Sequence, residues 1–220
     1  MPRGLFVTGT DTGVGKTVVA ASLLHRYRAG RLLRYWKPIQ TGVESDDDTA
    51  DVARLAGCDE RELFRHGVRL PRPVSPHLAA RLSGCTIDTD ELLEAYCRES
   101  HDARWIVEGA GGVLVPINDR ETMADLMLRL GLPVVVVART ALGTINHTLL
   151  TVEALRLREL TVAGVVMVGR QDADACEAIE RYGRVAILGQ MPTLTPLTCS
   201  ALAAWAPQLD PADRLLEYFV

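Results

Sequence analysis

The feature that most constrains this chain is a glycine-rich loop at residues 9–17, with the sequence GTDTGVGKT. An apolar stretch at 4–8 precedes the loop and predicts a short buried strand, and residues 18–24 predict the first turns of a helix. A loop of this kind between a strand and a helix is a phosphate cradle, because its backbone N–H groups and the helix N-terminus converge on an anion. The loop therefore predicts a protein that binds a nucleoside triphosphate.

Each residue type in the cradle has a predicted task. Lys16 would reach the β- and γ-phosphates, and the Thr17 hydroxyl would ligate Mg²⁺. The residues predicted to contact the nucleotide are Thr12, Gly13, Val14, Gly15, Lys16 and Thr17.

The spacing of the loop departs from the usual pattern, which places four residues between its first glycine and Gly-Lys-Thr. In that register Thr10 stands where glycine is expected, and Gly9 lies one residue too early. We therefore expect a loop that is longer than usual by one residue.

Length, charge and cysteine usage set further limits. A chain of 220 residues predicts one domain, and a net charge of −4 argues against a nucleic-acid partner. The five cysteines form no Cys-x-x-Cys pair, which argues against a zinc site and is typical of a reducing cytosol. The longest apolar run, at 132–138, is far too short for a membrane span. We expect a cytoplasmic protein without a signal peptide and without nucleic-acid or membrane partners.

Strand and helix signals alternate along the chain. Strands are predicted at 4–8, 34–37, 105–108, 134–137, 162–168 and 185–188. Helices are predicted at 18–24, 48–56, 77–82, 91–100, 122–130, 146–158, 173–182 and 210–218, with 70–76 extended or irregular. This pattern predicts a single-domain α/β fold of the P-loop NTPase type, with a mostly parallel central sheet flanked by helices. In such folds ligands bind beyond the carboxyl ends of the strands.

Two charged residues end predicted strands at that edge. Glu108 directly precedes Gly-Ala-Gly-Gly and is predicted to meet the Mg²⁺ held by Thr17. Lys37 precedes Pro38 and is suited to an anion other than the triphosphate, although a lysine that only extends from a strand end toward water is equally consistent.

Two further segments could bind ions. The triplet at 46–48 is three aspartates, one of which could reach Mg²⁺ while the others cap a helix or stay solvated. Residues 143–147 open a predicted helix, where free N–H groups form either an anion site or an ordinary cap.

The chain as a whole closely resembles the dethiobiotin synthetase family. The matching segments are 8–17 (TGTDTGVGKT), 37–42 (KPIQTG), 75–80 (SPHLAA), 107–112 (VEGAGG) and 142–147 (LGTINH). The longer phosphate loop is itself a mark of that family. The resemblance implies that ATP, with Mg²⁺, drives carboxylation and ring closure of 7,8-diaminononanoate with CO₂, through a carbamate and a carbamic–phosphoric anhydride.

The resemblance also implies roles for individual residues. Lys37, Lys16 and Thr12 would act in catalysis, and Thr17, Glu108 and Asp48 would hold Mg²⁺, with Asp51 the second choice for the third ligand. The residues implied in substrate binding are Lys37, Thr41, Gly111, Gly112, Leu142, Gly143, Thr144 and Asn146. In the family, the helix N-terminus that binds the substrate carboxylate comes from the other subunit, so a homodimer is implied.

One segment departs from the family pattern. The family often places an asparagine after the strand near residue 168 to read adenine, whereas this chain has Met-Val-Gly-Arg at 167–170. We therefore expect either loose base selection or recognition of the base by backbone groups near 189–197. Gly169 and Pro192 are the residues predicted to contact the nucleotide in this region.

The main alternative is a nucleotide-switch ATPase of the partitioning or septum-positioning type, which shares this kind of sheet and loop. Such proteins usually carry an extra lysine early in the loop, where this chain has Thr10 and Asp11, and the tail at 210–220 is short and not basic. A corrinoid amidotransferase-type synthetase is a weaker alternative, because the chain has no clear room for a glutaminase domain.

Overall fold

A seven-stranded sheet in the order β4-β2-β6-β1-β7-β8-β9 forms the centre of the protein, and every paired strand in it is parallel. The computed structural model describes residues 3–99 and 103–220. The strands are β1 (Gly4–Gly9), β2 (Leu33–Trp36), β3 (Ile39–Thr41), β4 (Leu63–Phe64), β5 (Val68–Leu70), β6 (Arg104–Gly112), β7 (Val134–Arg139), β8 (Val162–Val168) and β9 (Ile187–Met191). The remaining strands, β3 and β5, pair in a small parallel sheet of their own.

Eight helices are described on the two faces of the large sheet. They are α1 (Lys16–Tyr27), α2 (Asp48–Ala56), α3 (Pro76–Leu82), α4 (Thr89–Glu99), α5 (Met123–Leu130), α6 (Thr144–Arg156), α7 (Ala173–Gly183) and α8 (Cys199–Trp205). One apolar core joins the sheet to α1, α2 and α8, and a second joins it to α3–α7. The predicted P-loop NTPase-type α/β fold is confirmed. None of the described helices is both long and apolar enough to cross a membrane.

The order of the strands explains where ligands can bind. Strand β1 is fully buried between β6 and β7, and β2 is the next strand beyond β6. Because all these strands are parallel, the loops that follow β1, β2 and β6 emerge at one edge. The phosphate loop, Lys37 and Glu108 therefore meet there, although they lie far apart in the sequence.

Most predicted elements are present, with shifted ends. The helix predicted at 146–158 is α6, two residues earlier, and the strand predicted at 185–188 is β9, displaced toward the C-terminus. The helix predicted at 91–100 is α4, and its predicted end at Ser100 lies outside the described residues.

The helix predicted at 210–218 is wrong. Only a short 3₁₀ turn forms there, at Leu216–Phe219. Asp210 is buried at φ 50°, and its carboxylate accepts hydrogen bonds from the Leu215 N–H and the Tyr27 hydroxyl. A side chain that takes backbone N–H groups in this way competes with helix formation. This segment therefore packs its aromatic residue, Phe219, against Tyr27 of α1, with ring centroids 5.0 Å apart.

The sequence predictions also missed α8 and the short strands β3, β4 and β5. These strands contain only two or three residues each, too few for an alternating pattern to be recognised. Helix α8 spans only seven residues, and the residue before it, Thr198, caps it by accepting a hydrogen bond from the Ala201 N–H.

Candidate active site

A cleft of about 740 Å³ opens at the carboxyl edge of β1, β2 and β6. One wall is the phosphate loop and the first turn of α1, and the opposite wall comprises Thr41, Gly42 and the segment 73–76. Lys37, Asp48 and Glu108 lie between them. The phosphate loop and the two predicted strand ends, Lys37 and Glu108, therefore line one cleft.

The phosphate loop is preformed by backbone geometry. Gly13 and Gly15 have φ values of 70° and 100°, which favour glycine, and Gly15 directly precedes α1. The Lys16 ammonium bends back and donates to the Asp11 carbonyl oxygen at 3.0 Å. Asp11 in turn pairs with Arg139 of β7 at 3.0 Å. The loop is thus held at both its start and its end while its centre stays open to an anion.

Lys37 forms the electrostatic centre of the cleft. Its ammonium lies 2.5 Å from Asp48 Oδ2 and 2.8 Å from Glu108 Oε1, and it donates to the Gly109 carbonyl at 3.1 Å. The Thr17 hydroxyl lies 2.8 Å from Asp48 Oδ1 and 3.0 Å from Glu108 Oε1. Lys37 and Glu108 are buried, so these charges compensate one another away from bulk water.

The pKa values of these groups reflect burial opposed by neighbouring charge. Burial alone would lower the pKa of Lys37, but the Glu108 and Asp48 carboxylates outweigh it and raise that pKa above its ordinary value. Burial raises the pKa of Glu108, against the opposing effect of Lys37. Burial would raise the pKa of Asp48, but Lys37, the Thr17 hydroxyl and Lys16 together outweigh it, and that pKa is lowered.

The pKa of Lys16 is shifted in the opposite direction to that of Lys37. Burial, followed by the nearby positive charge of Lys37, lowers the pKa of Lys16 below its ordinary value. Two cations that face one cleft favour the binding of an anion between them.

The oxygen atoms around Thr17 fit Mg²⁺. A hydroxyl has one proton to donate, yet Thr17 Oγ1 faces two carboxylate oxygens at hydrogen-bond distance. Such a cluster of hard oxygens is the donor set that Mg²⁺ prefers. Among the described residues, no three His, Cys, Asp or Glu side chains come together as a metal site. Two carboxylates and a hydroxyl are nevertheless typical for Mg²⁺, which usually completes its shell with phosphate oxygens and water.

The three aspartates at 46–48 make different contacts. The Asp47 carboxylate caps α2 by accepting from the N–H groups of Thr49 and Ala50, which leaves Asp48 free to face Lys37. Asp46 lines the cleft. Asp51 instead pairs with Arg54 at 2.7 Å, with both side chains substantially exposed. The geometry thus favours Asp48 over Asp51 as the third metal ligand.

The glycines after Glu108 allow close approach to the phosphate loop. Gly111 has φ 67°, and a Cβ atom there would lie 2.8 Å from Val115 Cγ2 and 3.7 Å from Thr12 Oγ1. Gly112 pairs with Gly9 at the start of the loop. Thr12 and Gly111 both line the cleft, as does Thr41 from β3.

Two groups of predicted site residues do not line this cleft. Leu142, Gly143 and Asn146 are exposed around the start of α6, and Thr144 is buried in its first turn. The cleft of one chain is formed without these four described residues. Gly169 and Pro192 follow β8 and β9 on the other side of the phosphate loop, where the Gly169 N–H donates to the Met191 carbonyl at 2.8 Å.

Sequence reasoning missed several residues that support the cleft. Tyr35, in β2, donates its hydroxyl to Glu108 Oε2 at 2.9 Å. Arg69 contacts both Gln40 and Thr49, and the Gln40 side-chain amide donates to the Asp46 carbonyl, so these side chains hold the acidic segment in place. For Tyr35 the sequence did carry a signal, because side chains two residues apart on a strand share a face and Tyr35 is two residues before Lys37.

We predict that Lys37→Met lowers the free energy of unfolding by about 3–5 kcal/mol, because it leaves the buried Glu108 charge without its cation. Adding Glu108→Gln to that variant should recover part of the loss. Arg65→Met is the control, since the Arg65–Glu60 pair is exposed and its loss should cost at most about 1 kcal/mol. Urea unfolding of the four proteins measures this, and a double variant no more stable than Lys37→Met would contradict it.

Comparisons with known proteins agree on one family. A protein-family model described as "AAA domain" matches residues 3–201. An ATP-dependent dethiobiotin synthetase from Agrobacterium fabrum is 46% identical, with 95% of each chain covered. One from Rhodopseudomonas palustris is 45% identical, with 99% of each chain covered. The biotin biosynthesis bifunctional protein of Bordetella avium is 47% identical over 98% of this chain, which spans 45% of that longer protein.

Solved structures at low identity share the fold. The septum site-determining protein MinD from Pyrococcus horikoshii, complexed with Mg-ADP, has a TM-score of 0.59 at 16% identity and covers 99% of this chain and 94% of its own. A ParA family ATPase from Chlorobium tepidum has a TM-score of 0.57 at 9% identity, with 93% and 98% covered. At such identities the likeness shows the fold alone. The identities of 46% and 45% to the two dethiobiotin synthetases extend over nearly the full length of each chain, and they show that this chain belongs to the ATP-dependent dethiobiotin synthetase family.

Proposed function

We propose that the protein is a ligase that forms the cyclic urea of dethiobiotin from 7,8-diaminononanoate, CO₂ and ATP. The observation that carries this proposal is the buried Lys37 ammonium, held 2.5–2.8 Å from Asp48 and Glu108 and facing the same cleft as the phosphate loop. A site that only hydrolyses a nucleotide needs a positioned water. A second buried cation suits a second anionic reactant, such as a carbamate.

The proposed reaction has three steps. One amine of the substrate adds to CO₂ and loses a proton, which forms a carbamate. A carbamate oxygen then attacks the γ-phosphorus, ADP leaves, and a carbamic–phosphoric anhydride results. The second amine attacks the anhydride carbon, the C–O bond to phosphate breaks, and loss of a proton leaves the five-membered urea and free phosphate. Holding both amines in one cleft makes the closing step effectively unimolecular.

The chain's own residues would serve these steps by orientation and charge. Lys16 and the loop amides would stabilise the transferring phosphoryl group. Lys37, whose raised pKa keeps it protonated, would bind the carbamate and the γ-phosphate together. Thr41 and the backbone at Gly111 and Gly112 would position the carbamate and the diamine, with Thr12 on the facing wall.

Mg²⁺ is the proposed metal, with Thr17, Asp48 and Glu108 as its protein ligands. When bound, the ion would neutralise the charge of the β- and γ-phosphates. Because Lys37 contacts the same carboxylates, it would be close to the phosphates from the start of the reaction.

The substrate carboxylate is proposed to bind at the start of α6 of a second copy of the chain. Support comes from exposed apolar side chains in α6 and next to its ends. Leu142, before the helix, is fully exposed, and Leu150, within it, and Leu157, after it, are more than half exposed. Several exposed apolar side chains along one segment are typical of an interaction surface. The α6 N-terminus, with Leu142, Gly143, Thr144 and Asn146, would then complete the partner's cleft in a homodimer.

The nucleotide base is proposed to lie between the ends of β8 and β9, against the backbone at Gly169 and Pro192. Gly169 is tightly enclosed there, since a Cβ atom would lie 2.3 Å from Thr140 Oγ1. We also propose a cytoplasmic location, because Cys58, Cys85, Cys176 and Cys199 carry free thiols, as expected in a reducing compartment.

The reaction is tested by phosphate release from Mg·ATP with and without 7,8-diaminononanoate and bicarbonate, together with mass detection of the product. We expect release only when both co-substrates are present, with one cyclic urea formed per phosphate. Phosphate release that does not depend on either co-substrate would contradict the proposal and indicate a switch ATPase.

The shared site is tested by mixing two defective variants. Lys37→Ala should abolish turnover, and Asn146→Asp should repel the substrate carboxylate and raise the KM for the diamine more than that for ATP. After the subunits have exchanged, half of the dimers pair one variant with the other, and each such dimer has one intact site. At low diamine we therefore expect up to about one quarter of wild-type activity per site.

The matched control mixes Lys37→Ala with Thr41→Ala. Both residues line the cleft of their own chain, so no hybrid site is intact and the mixture should be no more active than the average of the two variants. Equal recovery in both mixtures, or none in the first despite subunit exchange, would contradict a site completed by α6 of the partner.

A further inference from the structure

Glu108 has a third partner that the proposed reaction does not use. The Tyr35 hydroxyl donates to Glu108 Oε2 at 2.9 Å, and both side chains are fully buried. The other oxygen, Oε1, contacts Lys37 at 2.8 Å and Thr17 at 3.0 Å. The two oxygens of one carboxylate therefore face different surroundings: one faces a phenol inside the sheet, and the other faces the cleft.

The strand register makes this contact rigid. Tyr35 in β2 pairs with Ile106 in β6, two residues before Glu108, and each of the two strands has a neighbour on both sides. The Tyr35 ring lies in the apolar core beneath α1 and α2. The hydroxyl cannot move without displacing that core, so it fixes the plane of the carboxylate. Without the hydrogen bond, Oε2 would be a buried acceptor with no partner, and the carboxylate would gain by rotating.

We propose that Tyr35 is a positioning residue for metal binding: it holds Glu108 so that Oε1 alone is presented to Thr17, Lys37 and an incoming Mg²⁺. This inference rests on the metal role proposed above for Glu108. A hydrogen bond to a ligating carboxylate orients it, and the loss of such a partner typically weakens metal affinity by about 10- to 100-fold.

The chain contains a matched control. Tyr27 is also a buried tyrosine whose hydroxyl donates to a buried carboxylate, that of Asp210, at 2.7 Å. This pair joins α1 to the C-terminal segment and does not line the cleft. Tyr27→Phe removes the same kind of bond as Tyr35→Phe, so any general effect of losing a buried phenol–carboxylate contact appears in both variants.

The test is Mn²⁺ binding to the full-length protein in the presence of ADP, followed by electron paramagnetic resonance of the free ion. We expect Tyr35→Phe to weaken Mn²⁺ affinity by about tenfold or more, and Tyr27→Phe to leave it unchanged although it lowers thermal stability. In the steady state, Tyr35→Phe should raise the Mg²⁺ concentration needed for half-maximal turnover and leave the KM of the diamine near its wild-type value. Wild-type Mn²⁺ affinity in Tyr35→Phe, or equal loss in both variants, would overturn the inference.

A second pair of proteins keeps the test decisive if Tyr35→Phe fails to fold. Glu108→Ala and Tyr35→Phe/Glu108→Ala have no side-chain oxygen for the phenol to orient and none left buried without a partner, so their Mn²⁺ affinities should agree. A further loss in the double variant would overturn the inference. If wild-type protein binds no Mn²⁺ with ADP, the proposed metal site fails as well; normal wild-type binding with an unaffected Tyr35→Phe rejects the role of Tyr35 alone.

Discussion

The buried contact of Lys37 with Asp48 and Glu108 is the interaction on which the rest of the site depends. Removing such charges from water costs several kcal/mol per ion, and the cost is offset only if the partners are close and well oriented. Here the three groups come from the end of β2, the start of α2 and the interior of β6, and Thr17 of the phosphate loop joins them. Because the charges must be paired, these four segments are held in one arrangement before any ligand binds.

The surrounding structure serves that arrangement. Parallel pairing of β1, β2 and β6 brings the loop, Lys37 and Glu108 to one edge of the sheet. The Asp47 cap and the Arg69–Gln40 contact fix the acidic segment, so that Asp48 faces Lys37 in the cleft. Glycines at 111 and 112 let the end of β6 approach the phosphate loop closely. The cleft combines a phosphate cradle with a second buried cation, a pairing suited to joining a nucleotide's phosphoryl group to another anion.

Sequence reasoning predicted the fold and several residues that line the cleft, because both depend on local patterns. The loop at 9–17 and the β-branched run at 134–137 need no tertiary information to be recognised, and Lys37 and Glu108 end predicted strands. The contacts that depend on long-range packing could not be predicted from the sequence. The alternation of side chains could have selected Tyr35, but only the pairing of β2 with β6 shows that it reaches Glu108. The helix predicted at 210–218 was wrong because Asp210 bonds to Tyr27, a partner 183 residues away. Whether the start of α6 completes another chain's cleft depends on a second copy, so no property of one chain could decide it.

The central claim is that a carbamate, and not water, attacks the γ-phosphate beside Lys37. The most direct measurement is a single turnover in ordinary water, started with CO₂ labelled in both oxygens with ¹⁸O and stopped before the label exchanges. We expect the released phosphate to carry one ¹⁸O atom and the cyclic urea to keep the other. Phosphate without the label would contradict it, because water would then be the attacking group.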